Sequence, residues 1–351
     1  MIGSPALRSL ATRHSSLLPK RSPIAMAAAG SKRRNIWLDC DVGVDDAQAL
    51  MLALSAPEVE LVGVSAVHGN VGVTQVGRNI GRILTLCGRP EVPFFLGADE
   101  PLVAPSMDAS YFHGEDGLGD RPDAFPPYSD VDLQSEPGHA AMHLAAAAQE
   151  HEGELTVVAT GPLTNIALAA KVDEGFPQRV GRLIVMGGAE KEGNVTPTAE
   201  YNFHCDPESA HVVFRKFREV LLVSWECTLR HTLPAPWVAA WLAKPTAKAR
   251  FMAAVMAKSL AYEQQRDAAL EEGGDPAGGW NACDALAALL AVCNEALLEA
   301  EPRHCTVELQ GANTRGMSVL QRPSAALPAN TLLARKVCMQ QYQRAMEAAT
   351  D

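Results

Sequence analysis

Asn35-Ile36-Trp37-Leu38-Asp39-Cys40-Asp41-Val42-Gly43-Val44-Asp45-Asp46 is the stretch on which the fold of this chain turns. Ile36, Trp37 and Leu38 read as a strand buried in a parallel sheet. Gly43 breaks the run, and Asp45 and Asp46 open a helical pattern that runs from Ala47 to Leu54. In open α/β sheets ligands collect outside the carboxyl ends of the strands, where this turn falls. The turn places four carboxylates, Asp39, Asp41, Asp45 and Asp46, within eight residues. Charges so crowded repel unless a cation neutralises them or one carboxylate takes up a proton. A hard divalent cation, which prefers carboxylate and carbonyl oxygens, answers that need. The plainer account, in which Asp45 and Asp46 cap a helix and offset its dipole, leaves Asp39 and Asp41 unexplained.

The rest of the composition narrows the class. A net charge of −11 offers no basic face for nucleic acid. The eight cysteines are scattered without a C-x-x-C pair, which points to free thiols in a reducing compartment. No apolar stretch approaches a membrane span. Residues 1–34 stand apart, with no acid before Asp39 but with Arg8, Arg13, Lys20, Arg21, Lys32, Arg33 and Arg34 among many Ser and Ala. This resembles a mitochondrial or plastid transit peptide; an unstructured tail, or a working start at Met26, is the alternative. The expected location is the cytoplasm, or an organelle if the extension is a targeting segment.

Outward from the first turn, strand and helix patterns alternate. A second β-rich run, Val59–Val67, ends in His68-Gly69-Asn70, and an amphipathic helix pattern covers Val73–Leu86. A strand at Val92–Leu96 enters a long Gly/Pro/Asp-containing region, Gly97–Pro137, which holds Tyr111-Phe112-His113-Gly114-Glu115-Asp116-Gly117. A loop of that length beside an aromatic pair, a His and acids reads as functional. Helix Ala140–Gln149, strand Leu155–Ala159 and Thr160-Gly161-Pro162 follow. Strand Arg182–Met186 leads to a polar loop with Asn194, Glu200 and Asn202, and Asp206-Pro207-Glu208 starts a helix. A strand at Val220–Trp225, helical material to about Ala268, an acidic loop at Glu271–Gly279, a helix at Asp284–Leu298 and a strand at Cys305–Leu309 complete the series. The prediction is one α/β domain over residues 35–351, with a mainly parallel, doubly wound, Rossmann-like sheet flanked by helices.

Taken together these motifs resemble the nucleoside hydrolase family of the inosine–uridine type. The opening Asp39-Cys40-Asp41-Val42-Gly43-Val44-Asp45-Asp46 is similar to that family's D-x-D-P-G-x-D-D. Further matches are Gly69-Asn70, His113-Gly114-Glu115-Asp116-Gly117, Thr160-Gly161-Pro162-Leu163-Thr164-Asn165, Met186-Gly187-Gly188, Gly193-Asn194 with Glu200-Tyr201-Asn202, Asp206-Pro207-Glu208 and Asp284-Ala285-Leu286. Two departures stand out. Val42 replaces the usual Pro, and Cys283 occupies the position before the late Asp where well-known members carry His. The second resembles the branch of the family with Cys there.

The resemblance implies hydrolysis of the N-glycosidic bond of ribonucleosides through an oxocarbenium-like transition state. It implies Ca²⁺ held by Asp41, Asp46, the Thr160 carbonyl and Asp284, and a metal-bound water that gives its proton to Asp41. Asp45, Asn70, Asn194, Glu200 and Asn202 would hold ribose hydroxyls, and Met186 would line the sugar pocket. For each Asn, turn chemistry is the competing explanation. The leaving base needs a proton or other help, for which His113, His231 and Cys283 are candidates. Trp225 and Trp280 could stack on a base, or serve as core. Asp39 is expected to support the other acids from behind. The expected partners are a small ribonucleoside and further copies of the chain, as a homodimer or homotetramer, with no nucleic acid and no membrane.

Other classes fit less well. Haloacid-dehalogenase-type phosphatases also follow a strand with D-x-D and bind Mg²⁺, but they do not place an Asp pair inside the first turn. An EF-hand fails because Val44 stands where Gly is required. A non-catalytic nucleoside-binding relative has no need of a water-activating metal set.

Overall fold

A computed structural model describes residues 33–127, 135–270 and 279–351. The expected amino-terminal extension lies outside the described residues except for its last two, of which Arg34 already begins the first strand. The acidic loop expected from Glu271 lies outside them as far as residue 278.

Strand β1 (Arg34–Cys40) leads to helix α1 (Val44–Ser55), β2 (Val59–Ala66), α2 (Val73–Leu86) and β3 (Phe94–Leu96). A long connection carrying the short α3 (Ser110–His113) reaches α4 (Ala140–Glu150), β4 (Thr156–Ala159), α5 (Thr164–Val172), α6 (Phe176–Arg179) and β5 (Arg182–Met186). Then come α7 (Tyr201–Cys205), α8 (Pro207–Lys216), β6 (Val220–Val223), α9 (Trp225–Leu229), β7 (Leu233–Pro234), α10 (Ala235–Leu242) and α11 (Ala247–Leu270). The carboxyl part holds β8 (Gly279–Trp280), α12 (Cys283–Val292), β9 (Leu297–Val307), β10 (Ser318–Gln321), β11 (Thr331–Val337) and α13 (Met339–Thr350).

Nine strands form one sheet in the order β10-β9-β11-β6-β5-β4-β1-β2-β3. From β11 to β3 every pairing is parallel, while β9 runs antiparallel to both β10 and β11. Both faces are covered, which is why the strands read as apolar runs rather than as alternation. In β1, Ile36, Leu38 and Cys40 join the core beneath α1, α2, α12 and α13, whereas Trp37 joins the opposite core beneath α4, α5 and α8. The mainly parallel, helix-flanked single domain expected from the sequence is what forms. No helix among the described residues is long and apolar enough to cross a membrane.

The carboxyl end departs from expectation. The helix predicted to reach Leu298 stops at Val292, a 3-10 turn occupies Asn294–Ala296, and Leu297 begins an eleven-residue strand. The strand predicted at Cys305–Leu309 is only the last part of β9, and β10, β11 and α13 were not anticipated. The sequence masks β9 because Pro302 sits inside it. That proline is tolerated where β9 has β11 on one side and no strand yet on the other.

One buried cation fixes the long connection after β3. The Arg82 side chain is fully buried; its Nε donates to the Pro126 carbonyl (2.8 Å) and its Nη2 donates to the carbonyls of both Ala124 (2.8 Å) and Arg121 (3.1 Å). Its guanidinium also lies 5.6 Å from the Phe251 ring centre. Arg82→Leu should destabilise the protein by roughly 3 kcal/mol or more, since it strands several buried carbonyls at once. Urea unfolding measures this; a loss below about 1 kcal/mol would mean that the connection simply refits.

Candidate active site

The chain leaves β1 for β2 and β3 on one side and later crosses to β4, β5, β6 and β11 on the other. The gap between β1 and β4 is therefore the switch point of the sheet, where α/β folds open a crevice. A pocket of about 220 Å³ lies here, sized for a small molecule rather than a polymer. Of the residues predicted for the site, Asp45, Asn70, His113, Thr160, Met186, Asn194, Glu200, Asn202, Trp225, Cys283 and Asp284 line it. Asp41 and Asp46 are wholly buried behind that lining.

Carboxylate oxygens of Asp45, Asp46 and Asp284 all lie within 4.8 Å of one another. Asp284 reaches them because α12 is buried along its whole length and packs against α1. Asp46 is oriented by three donors: the Gly43 N–H (2.9 Å), the Asn70 amide (3.2 Å) and the Thr160 hydroxyl (2.8 Å). Asp41 Oδ2 accepts the Asn70 N–H at 2.8 Å, while its Oδ1 is buried with no partner. Two glycines make room for Asp41. A Cβ on Gly69 would collide with Oδ2, and one on Gly161 would come within 3.0 Å of Oδ1.

Burial raises all of these groups, and repulsion from neighbouring acids adds to it at Asp41, Asp45 and Asp284. Asp41 and Asp284 are pushed well above the carboxylate range, Asp46 is raised, and Asp45 is pushed up to about 7. Buried acids that cannot ionise together, one with an unsatisfied oxygen, are the arrangement a hard dication would relieve. The donors offered are all oxygens. The Cys283 sulfur is not among the atoms that converge there, so no thiol joins the set to favour zinc. The convergent set differs from the expected one in that Asp45, assigned to ribose, lies among the carboxylates that would surround a metal.

Asp39 turns away. It follows Trp37 by two residues and so shares the face opposite Leu38 and Cys40. There it accepts from the Ser65 hydroxyl and from the Asn165 amide (2.8 Å), and burial pushes it up to about 7. Ser65 in turn receives the Trp37 indole N–H at 2.8 Å.

The loop after β5 is held by backbone capture. Glu200 caps α7, accepting N–H groups from Asn202 (3.0 Å), Phe203 (3.2 Å) and Gly188 (2.8 Å). The Asn202 amide donates to the carbonyls of Thr160 (2.8 Å) and Met186 (3.2 Å), tying β4 to β5. Asn194 Oδ1 accepts the Tyr201 N–H at 2.9 Å. Sequence reasoning missed Glu226, which gathers the N–H groups of Glu190, Lys191 and Glu192 and so anchors this loop. It also missed Tyr262 and Asn281 in the pocket lining. Proximity of Asn281 to Cys283 was the one available signal; Tyr262 sits in a helix with no motif.

His113 Nδ1 accepts the Val44 N–H at 3.1 Å, so the proton of the neutral ring is on Nε2. Burial holds this imidazole down at about 3, far below the 6.5 of a free ring. The unfolded chain takes up this proton below about pH 6.5 and the folded chain only near 3. His113 thus contributes stability above 6.5 that is lost as pH falls toward 3. His113→Gln should therefore gain thermal stability relative to the parent between pH 7 and about 4.5; a constant difference in Tm would contradict this.

Two expected candidates fall outside the pocket lining. His231 follows α9. Its ring is within hydrogen-bond reach of the Cys227 carbonyl (2.7 Å), and its Nε2 accepts the Val337 N–H (2.9 Å), a structural brace. Trp280 is 1% exposed, donates to Gln48 (2.9 Å) and stacks on Phe112 at 6.2 Å; it anchors the core, leaving Trp225 as the tryptophan that lines the pocket.

Comparison with known proteins gives a consistent result. The family model described as inosine-uridine preferring nucleoside hydrolase matches residues 36–344. An enzyme of that description from Crithidia fasciculata is 34% identical over 288 residues, 82% of this chain and 87% of its own length. Among solved structures, an inosine-guanosine nucleoside hydrolase superposes with a TM-score of 0.80 at 29% identity, covering 91% of this chain and 98% of its own. A plant nucleoside hydrolase gives 0.80 at 25% identity, over 90% and 99%.

Proposed function

The chain belongs to the inosine-uridine preferring nucleoside hydrolase family and is a ribonucleoside N-glycosyl hydrolase, and from that premise we propose how its residues divide the work. The observation that carries the reading is the convergence of Asp45, Asp46 and Asp284 on one pocket, with the unpartnered Oδ1 of Asp41 behind them. Asp41, Asp46, Asp284 and the Thr160 carbonyl would hold Ca²⁺; the Thr160 oxygen already accepts from Asn202 and keeps a second lone pair. When bound, the cation neutralises the acids and acidifies water at the site.

Asp41 removes the proton from the attacking water, because its Oδ1 is buried with no competing donor, whereas Asp39, whose Oδ2 is also unpartnered, faces away from the crevice. Asp45, Asn70, Asn194 and Asn202 hold the ribose hydroxyls, with Met186 against the sugar. Glu200 contributes chiefly by shaping the loop, since both of its oxygens are engaged by backbone N–H groups. As positive charge grows on the sugar, carboxylates already fixed in place stabilise it without reorganising.

The departing base meets neutral donors. His113 offers an Nε2–H, comparable to a neutral imidazole used as an electrophile rather than as a proton store. The Cys283 thiol stays protonated, its Sγ 3.5 Å from the Thr228 hydroxyl. Trp225 lies against the base. Steady-state hydrolysis of inosine, guanosine, uridine and cytidine, with and without a chelator, tests the reading: base release that stops on chelation supports it, and binding without release of free base overturns it. Cys283→Ala should alter base preference while leaving ribose competition unchanged; identical kinetics across the panel would remove Cys283 from the leaving-group role.

A further inference from the structure

The segment 110–120, which carries Tyr111, Phe112 and His113 into the pocket, is docked on one stripe of α11. Val255, Lys258, Ser259 and Tyr262 recur at helical spacing and so share a face. Lys258 Nζ donates to the Ser110 carbonyl (3.2 Å) and pairs with Asp120 (2.7 Å). The buried Ser259 hydroxyl donates to the Phe112 carbonyl at 2.8 Å. Gly119, at φ +73°, lies so close to the Val255 carbonyl that a side chain there would collide. Tyr262 meets the Phe112 ring edge-on at 5.6 Å and Tyr111 at 5.7 Å.

The segment is also stiff and tied at its other side. Asp116 Oδ1 accepts the N–H groups of Leu118 (2.7 Å) and Asp120 (2.9 Å), and Asp120 Oδ1 accepts that of Glu115 (2.7 Å). His113 takes the Val44 N–H of the acidic turn, and the Asn79 amide donates to the Asp116 carbonyl at 2.8 Å. A rigid bridge thus spans from the carboxylate cluster to α11.

We infer that Lys258 and Ser259 are positioning residues, which lock segment 110–120 to α11 so that His113 and the aromatic residues lining the pocket are held as one body. Neither touches the reacting atoms; they set the fraction of molecules in which the pocket is assembled. Apparent affinity scales with that fraction while turnover of the bound complex does not. The kinetic consequence rests on the nucleoside-hydrolase reading of the pocket, but the mechanical one does not.

The test uses the full chain and Lys258→Met, with Lys258→Arg, Asp120→Asn and the double variant Asp120→Asn/Lys258→Met. Glu91→Gln, which breaks the exposed Arg89 pair, is the control. Hydrogen exchange without substrate should quicken at the amides of 110–120 in Lys258→Met and Asp120→Asn, and nowhere far from them. KM for the nucleoside that the parent turns over fastest should rise about three- to fivefold with kcat within twofold, as befits a half-exposed pair. Raising ionic strength should raise the parent's KM but not that of Lys258→Met, and Lys258→Arg should restore the parent's values. The double variant should be no worse than Lys258→Met. Unchanged exchange in both single variants overturns the lock. Quickened exchange with unaltered KM, or a fall confined to kcat, overturns its role in assembling the pocket. Absence of hydrolysis by the parent would instead count against the proposed function, and exchange alone would then decide the lock.

Discussion

Asp41→Asn is expected to lower kcat by about a thousandfold or more, with KM changed much less, because a positioned base typically supplies 10²–10⁴ in rate. The variant keeps the shape of the side chain and an oxygen for the Asn70 N–H, so the glycine cradle of Gly69 and Gly161 is not disturbed. What changes is Oδ1, the oxygen left without a partner, whose place an amide nitrogen would take. The same substitution should raise the Tm of the chelated protein. It removes a carboxyl group that burial and the charge of Asp46 push well above its ordinary range, and with it some of the repulsion within the cluster. Opposite movements of activity and stability separate a functional group from a structural one. Turnover within tenfold of the parent would refute the base assignment.

The second large effect concerns the cation. Adding Ca²⁺ to chelated protein should restore activity and stabilise the fold by about 2.7 kcal/mol at a hundredfold excess over Kd, a shift in Tm of several degrees. Asp284→Ala should lose both responses, since it removes one of the three convergent carboxylates and the one supplied by α12. Calorimetric titration of parent and variant measures this directly. The oxygen-only donor set predicts that Ca²⁺ restores activity where Zn²⁺ does not; tighter binding of zinc with loss of the Cys283 thiol would overturn the choice of metal.

Much of this was legible in the sequence because the signals were local. Gly43 after an apolar run, followed by paired acids, marks the end of a parallel strand and the start of a helix, and α1 begins at Val44. The Val73–Leu86 helix formed with the predicted bounds because its apolar periodicity is unambiguous, and the Arg182–Met186 strand because a short apolar run is cut off by Gly187-Gly188. Beyond Asp284 the signals conflict. From Val292 to Leu298 only Asn294 and Glu295 interrupt the apolar residues, with no Gly or Pro to mark a stop, so little local separates the end of α12 from the start of β9, and Pro302 conceals the strand that follows.

Local patterns in the chain were enough to place a parallel-sheet enzyme with acids gathered at the end of its first strand and the family motifs strung along it in order. How those acids divide follows from the packing of distant elements. Strand alternation sends Asp39 to the α5 side, where Ser65 and Asn165 hold it, and the turn leaves Asp41, Asp45 and Asp46 on the crevice side. Helix α12, more than two hundred residues away in the chain, brings Asp284 into their company. Likewise Trp225 and Trp280 are indistinguishable as letters, yet one lines the pocket and the other is buried against Gln48. Side-chain direction follows from periodicity within an element, but convergence depends on packing between elements, and no local pattern encodes that.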